Sequence, residues 1–577
     1  MKKIILLFAL LFILDASAEG LSSAPLITSN SGERYDHTAR PTIVSASPNV
    51  EIRSTDSLSS EKRELKQQIS LFDFLTEIQK KDLVTGHPSI DFTPQIQAAI
   101  NAAAGKTLFV PAGSYLLKAQ KGNTLLTIAN TISIKGQRGS QFLIDANVPN
   151  DVDVITVNPH TIADEGVEID NLWIFEQAGK PARNIIKVNL DSEHGLKKLS
   201  ITNSLFRAKS GFGIWVANPN KASSRGLFLS KIVGNEIYGG IQLDNLGDSN
   251  LIADNAITGP NIGIHFDLLN EVGALGSAAK LQIIRNNITS FGGAIVGSHA
   301  RGIVIEDNNI EQTVPLQDGY SVALSYLDEV ESGNPVAMSG VSVISRNKIE
   351  PADPTSRSNG LLLFKCNGTV VENNSIGTSQ NGTKGASAIT IRSSFKTVIR
   401  GNYLLPSLGG TGINIDSASL NTEFTRGVFS PVVPNVIEIK DQGLGTKGVW
   451  KSGVLASNWV PTSPKMVGFS FYKTRDNLVL LRGNLRKLKK VPNDGVIGFL
   501  PAGFLPEELT AKNGDVGEMF LSTIVIRTNG QPSPAVLRIT RDTASGLGKI
   551  MLHTPNLDDL DTLSFDGITF YSLDIPT

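Results

Sequence analysis

Apolar and polar residues alternate along this chain in short runs rather than in long stretches. Leu281-Gln-Ile-Ile284, Gly302-Ile-Val-Ile305, Val341-Ser-Val-Ile344 and Thr397-Val-Ile399 each read as a short strand. Each run leads into an Asn with an apolar residue two places on. The copies are Asn203-Ser-Leu205, Asn235-Glu-Ile237, Asn255-Ala-Ile257, Asn286-Asn-Ile288, Asn308-Asn-Ile310, Asn347-Lys-Ile349, Asn374-Ser-Ile376 and Asn402-Tyr-Leu404. They recur every 28 residues on average, roughly, a period that implies stacked structural repeats. Most repeats then carry a Gly and a second alternation such as Gly240-Ile-Gln-Leu243. No helical period intervenes, so the strands of one repeat can pair only with their equivalents above and below, which describes a parallel β-helix. The asparagines are read as structural, because Asn tolerates a left-handed backbone, bends the chain between sheets and can hydrogen-bond to the Asn of the next repeat.

The alternation also fixes which side chains leave the coil. Aligning the Gly-Ile strands puts Ile214 and Val216, Ile241 and Leu243, and Ile264 and Phe266 inside. Trp215, Gln242, Asp244, His265 and Asp267 then face outward, in columns about 4.8 Å apart. An indole can stack on a sugar ring, and two carboxylates can share the work of general acid and of base or nucleophile. The candidate catalytic residues are therefore Asp244, Asp267 and His265, the last as a base in a lyase. Trp215, Gln242, Lys365 and Arg392 are candidate substrate contacts. Lys365, Arg392, Asn414 and Asp416 are expected further along the same column, at subsite distance. The interval from Asn308 to Asn347 holds Tyr320, Tyr326, Asp328, Glu329 and Glu331 in a strand and a protruding loop, a second location for catalytic carboxylates.

The two ends differ from the middle. Lys2 and Lys3 precede an apolar run from Ile4 to Leu14, and Ala16-Ser-Ala18 supplies small residues for cleavage, so residues 1–18 read as a secretory signal peptide. Residues 19–69, rich in Ser, Thr and charge, read as a flexible leader. A helix is expected from Thr93, as N-cap, with Pro94 at its first position and Ile96, Ala99, Ile100 and Ala103 on one face. It would plug the open end of the coil, whose span is set at 70–430. From Pro431 the Asn repeat stops, and strand and turn signals such as Gly468-Phe-Ser-Phe-Tyr472 and Asn477-Leu-Val-Leu-Leu481 predict a β-sandwich over 431–577.

Two stretches carry a family resemblance. Ile69-Ser-Leu-Phe-Asp-Phe-Leu-Thr-Glu-Ile-Gln79, Ile90-Asp-Phe-Thr-Pro-Gln-Ile-Gln-Ala-Ala-Ile100 and Phe109-Val-Pro-Ala-Gly-Ser-Tyr115 together resemble the opening of pectate-lyase-like β-helices, of the phage tailspike type that degrades capsular polysaccharide. Asn477-Leu-Val-Leu-Leu481-Arg-Gly483 and Phe499-Leu-Pro-Ala-Gly-Phe-Leu-Pro506 resemble the terminal module of phage tail fibres. The resemblance implies an all-β chain: a right-handed single-stranded parallel β-helix with an N-terminal capping helix, then a C-terminal β-sandwich. It implies a polysaccharide substrate and side-by-side assembly as a homotrimer. It is specific for the fold and much less so for the reaction. The polygalacturonase pairing of Asn-Thr-Asp with Asp-Asp and the calcium pectate-lyase motif are absent, so plant pectin is not indicated.

Composition narrows the partners. With 577 residues, 54 Gly, 40% hydrophobic residues and a net charge of -1, the chain has ample core and no bulk charge for nucleic acid or a membrane surface. The single cysteine, Cys366, excludes an intramolecular disulfide and reads as a buried, inert thiol. The basic cluster Arg482, Arg486, Lys487, Lys489 and Lys490 is either a solvated loop or a contact for an acidic glycan. The seven His residues show no zinc spacing, and neither a metal site nor a cofactor is expected. The expectation is an exported polysaccharide depolymerase acting on an acidic bacterial capsular or exopolysaccharide, either glycoside hydrolase or lyase. The alternative is a non-catalytic glycan-binding adhesin using the same groove, and either would be secreted or extracytoplasmic without stable membrane insertion.

Overall fold

The computed structural model describes residues 68–572 except 84–87, 163–165, 177–182, 192–193, 209–210, 218–225, 261, 269–280, 300–301, 313–318, 326–340, 352–357, 379–385, 408, 426–427, 430–436, 444–445, 448–449, 453, 457–458, 463–468, 475, 489–494, 507–508, 510–517, 542–546, 555–558 and 566–567. The signal peptide, nearly all of the leader, and Tyr326, Asp328, Glu329, Glu331, Lys489 and Lys490 lie outside these residues. Among the described residues no helix is long and apolar enough to cross a membrane.

The short alternating runs form three parallel sheets visited in turn. Sheet I runs from Gln68–Ser70 to Glu423–Thr425, sheet II from Gly113–Leu117 to Val428–Phe429, and sheet III from Thr124–Ile128 to Ile437–Asp441. Every strand pairs with its equivalent one repeat away, so the middle of the chain is a parallel β-helix. The coil runs past the expected boundary at 430, because Ile437–Asp441 still pairs in parallel with Thr411–Ile415. Beyond it, antiparallel strands form a 4-stranded and an 8-stranded sheet over one core that includes Phe469, Phe471, Leu485, Ile539 and Phe565.

The Asn repeat forms the expected hydrogen bonds from one rung to the next, but neither its first member nor its turn geometry is as expected. Asn235, Asn255, Asn286, Asn308, Asn347, Asn374 and Asn402 are buried to 2% exposure or less and form a continuous ladder. From Asn255 on, each accepts at Oδ1 from the backbone N and the Nδ2 of the preceding Asn; for Asn286 and Asn308 these distances are 2.9 and 3.0 Å. Asn203 is not part of this ladder. Leu205 pairs with Glu236, so Ser204 stands opposite Asn235 and donates its N–H to Asn235 Oδ1 at 2.9 Å. The left-handed turn residue is also not the ladder Asn but the residue before it: Asn203, Gly234, Asp254, Arg285, Asp307, Arg346, Asn373 and Gly401 all have φ between 50° and 71°. An Arg at positive φ is disfavoured by about 1–2 kcal/mol. Bidentate pairing of Arg285 with Asp254 (2.7 and 2.7 Å) and of Arg346 with Asp307 (2.8 and 3.0 Å) offsets part of that cost. The same guanidinium contacts hold both carboxyls below their ordinary range.

The helix Thr93–Ala102 buries Ile96, Ala99 and Ile100 in the core of the coil. Thr93 is its first residue rather than its cap, and Pro94 its second; Phe92 is the cap and Asp91 Oδ1 takes the Thr93 N–H at 2.9 Å and hydroxyl at 2.6 Å. Gln97 pairs its amide with the backbone of Thr127 (2.7 and 2.9 Å), so one side chain satisfies the edge of the first sheet III strand.

The inward set is buried as the alternation predicts: Ile214, Val216, Ile241, Leu243, Ile264 and Phe266 are at most 1% exposed. Phe266 fills the space left by Gly297 on the next rung, where a Cβ would collide with its ring. Phe266→Ala is expected to destabilise the coil by about 3–5 kcal/mol in a urea titration; a loss below about 1 kcal/mol would contradict this packing.

Cys366 is buried, but not by sharing a face with Leu362 and Phe364, which point outward and are half-buried. Lys365 has φ 53°, and that left-handed residue reverses the alternation so that the thiol turns inward. Burial pushes the thiol up to about 12. Native protein at pH 8 should therefore resist alkylation that goes to completion in urea; rapid native labelling would place the thiol elsewhere.

Candidate functional site

Register on the outer face of sheet III puts specific side chains in rows. Lys187, Trp215, Gln242 and His265 are successive strand partners. Two residues on, Asp267 pairs with Ser298, and a parallel row continues through Ser325, Phe364 and Arg392. All five outward residues expected from the sequence, Trp215, Gln242, Asp244, His265 and Asp267, are half-buried on this face.

Asp244 and Asp267 do not, however, occupy simple equivalent positions. The register shifts between Leu243 and Leu246, where the Ile241–Leu246 strand carries one extra residue. Such a bulge re-aims the side chain beside it. Asp244 accepts from Trp215 Nε1 at 3.2 Å and from Gln242 Nε2 at 2.6 Å. Gln242 Oε1 in turn lies 2.7 Å from His265 Nδ1. The polarity of this chain follows from which atoms can donate. A carboxylate accepts, so Gln242 gives its amino group to Asp244 and turns its carbonyl to His265; that carbonyl can only accept, so His265 Nδ1 carries a proton. The acceptor of the neutral ring is then Nε2.

Asp267 faces the other way along the coil. Its Oδ1 lies 2.6 Å from His299 Nδ1, and both side chains are only 17% exposed. This shielding separates the pair from an ordinary solvated surface ion pair. His299 follows the Ile295–Ser298 strand with φ 51°, which swings its ring back over the preceding rung. It is not among the residues expected from the sequence, because a bulky residue in a left-handed turn gives no periodic signal. Two imidazoles, each oriented through Nδ1 by an acceptor, thus stand beside one another's rungs.

Trp215 is less open than a free sugar platform. Lys187 Nζ lies 5.0 Å and Arg183 Cζ 5.4 Å from its ring centroid, so a pyranose competes with a cation for at least one face. Lys187 is held at 3.0 Å by Asp153, which also accepts from Asn184 Nδ2 at 2.6 Å.

The subsite residues divide. Arg392 is exposed and lies on the outward row four strands beyond Asp267, roughly 19 Å away at the strand spacing. Lys365 is not on that row; its strand ends at Phe364, which takes the outward place, and Lys365 Nζ sits 5.7 Å from the Phe364 ring centroid. Asp416 is used as a turn cap, accepting from Ser393 N at 3.0 and 3.2 Å and from Ser419 Oγ at 2.7 Å.

The fold and this face together define a parallel β-helix protein with a row of polar side chains along one lateral face and a C-terminal antiparallel module. No family model matches the chain, and no curated protein matches it. Among solved structures it is similar to the surface adhesin PfbA of Streptococcus pneumoniae, at 15% identity over 71% of this chain and 97% of that one, with a TM-score of 0.39. It is also similar to the A-module of a mannuronan C-5 epimerase of Azotobacter vinelandii, at 14% identity over 66% and 99% of the two chains, TM-score 0.42. A third is a tailspike protein mutant of E. coli bacteriophage HK620, solved in complex with hexasaccharide, at 11% identity over 90% and 97%, TM-score 0.39. These likenesses assign no residue, and the coil rests on its own strand pairing.

Proposed function

We propose that this chain is an exported polysaccharide depolymerase acting on an acidic glycan, with the outer face of sheet III between Trp215 and His299 as its active surface. The observation that carries the reading is the donor–acceptor polarity of two adjacent units, Asp244–Gln242–His265 and Asp267–His299. Each presents an imidazole whose neutral form accepts at Nε2, the arrangement that proton transfer to and from a bound sugar requires. In an elimination on a uronate, one ring takes the proton alpha to the carboxylate. The C–O bond to the leaving sugar then breaks as the double bond forms, and the second ring, protonated, returns a proton to the departing oxygen. In a hydrolysis the same two groups activate water and protonate the leaving oxygen.

The cations over Trp215 favour a second reading, retention of an anionic glycan without cleavage. Incubation with a panel of purified acidic polysaccharides separates the possibilities. New reducing ends with ultraviolet absorbance of unsaturated uronates indicate elimination, and reducing ends without it indicate hydrolysis. Binding with no new ends on any glycan would sink the depolymerase. A homotrimer clasped through the C-terminal module belongs to the same proposal; sedimentation showing only monomer at micromolar concentration would remove it.

A further inference from the structure

On the rim beyond sheet III, His160 meets two side chains some thirty residues on, Asp191 and His194. His160 lies in the turn Pro159–Thr161 that follows the Asp153–Val157 strand, and Asp191 lies just past Asn184–Asn189 on the next rung. Val157 pairs with Val188, so His160 and Asp191 hold the same position on adjacent rungs. His194 is tied to Asp191 through the backbone: its N donates to Asp191 Oδ1 at 2.6 Å, and the Asp191 N–H reaches His194 O at 3.3 Å. As a result His194 Nδ1 stands 3.0 and 3.1 Å from the two Asp191 oxygens and 3.2 Å from His160 Nδ1.

Protons alone serve this cluster badly. If His194 Nδ1 carries a hydrogen, it can point at Asp191 or at His160 Nδ1, and the other contact is left weak. If His160 Nδ1 donates to the lone pair of His194 Nδ1, the Asp191 oxygens face that nitrogen with no hydrogen between them. A divalent cation satisfies all three lone-pair atoms together. Two nitrogens each about 2.0–2.1 Å from a tetrahedral ion are about 3.3 Å apart, close to the separation seen here. The ligand atoms of all three residues lie within 4.8 Å of one another. The ring centroids are 4.1 Å apart, so loading requires a small turn of one ring about its Cβ–Cγ bond.

We infer that His160, Asp191 and His194 form a binding site for a divalent transition-metal ion of the zinc class, with a water or a ligand oxygen completing the shell. Two imidazoles and one carboxylate are a borderline nitrogen-and-oxygen set, which selects zinc, nickel or copper over calcium and magnesium. The site is three strands from the Asp267 row, roughly 14 Å at the strand spacing, and stands whether or not the chain cleaves glycans. Its effect is to tie two successive turns of the coil together. It was not visible in the sequence because His160 joins Asp191 and His194 only through the rung register.

Chelator-stripped full chain is titrated with zinc chloride by calorimetry, beside His160→Ala and His194→Ala. The inference predicts one zinc per chain, at least about 100-fold weaker binding in each variant, and no comparable uptake of magnesium. Cobalt substitution should give the wild type, but neither variant, a visible absorption band. His160 is exposed, so its variant should keep the wild-type circular dichroism and thereby isolate the ligand effect. Absence of stoichiometric zinc binding, or binding unchanged in the His160→Ala chain, would overturn the site.

Discussion

Asn308→Ala should cost the coil about 4 kcal/mol or more, measured as the loss of unfolding free energy in urea. The substitution removes the acceptor for Asn286 N and Nδ2 and the donor that Asn308 Nδ2 gives to Ile283 O and Asn347 Oδ1, both at 2.9 Å. All these groups sit where water does not reach, since the ladder side chains are at most 2% exposed. Each buried polar group left without its partner costs about 1–3 kcal/mol, and several are orphaned together. Asn308→Asp should be no milder: it keeps an acceptor for Asn286 but has no hydrogen for Ile283 or Asn347, and it buries a charge. The neighbouring Asn309 donates to Asn287 Oδ1 at 2.9 Å on the exposed side. Asn309→Ala should cost less than about 1 kcal/mol. Equal losses at 308 and 309 would mean that the ladder does not hold the rungs.

Asp267→Asn should lower turnover by about a thousandfold or more with the Michaelis constant nearly unchanged. The amide matches the carboxylate in size but removes the charge that orients His299 through Nδ1 and stabilises the protonated ring. Asp244→Asn acts through a different route. An amide placed between the Trp215 indole N–H and the Gln242 amino group cannot accept from both as a carboxylate does, so Gln242 is free to invert and His265 loses its tautomer. Trp215→Ala should reverse the pattern, raising the Michaelis constant with turnover preserved. Full activity in both Asn variants would move the chemistry off this face, and the acidic residues Asp328, Glu329 and Glu331 would be the next place to seek it.

Much of the fold was legible because its signals are local and repeated. The period of the Asn motif and the alternation around Ile241 and Phe266 give the coil and its inside from residue types alone. The failures share one cause: a single residue out of step changes the phase of everything after it. Asn203 stands one place early on the ladder, and the extra residue in Ile241–Leu246 breaks the equivalence of Asp244 and Asp267. Lys365 at positive φ leaves the strand row and turns Cys366 inward. The outward set was found because burial of its neighbours fixes the phase. Its bonding pattern, and His299 with it, depend on which rung each side chain leans toward, and that is a tertiary property.

The most direct test of the account is polymer length over time. An acidic polysaccharide that binds the wild-type chain is incubated with wild type and with Asp267→Asn, matched in thermal midpoint, and sampled by size-exclusion chromatography. The account predicts that wild type shortens the polymer progressively while the variant binds it and leaves its length unchanged. Unchanged polymer in both samples, or equal shortening in both, would contradict it.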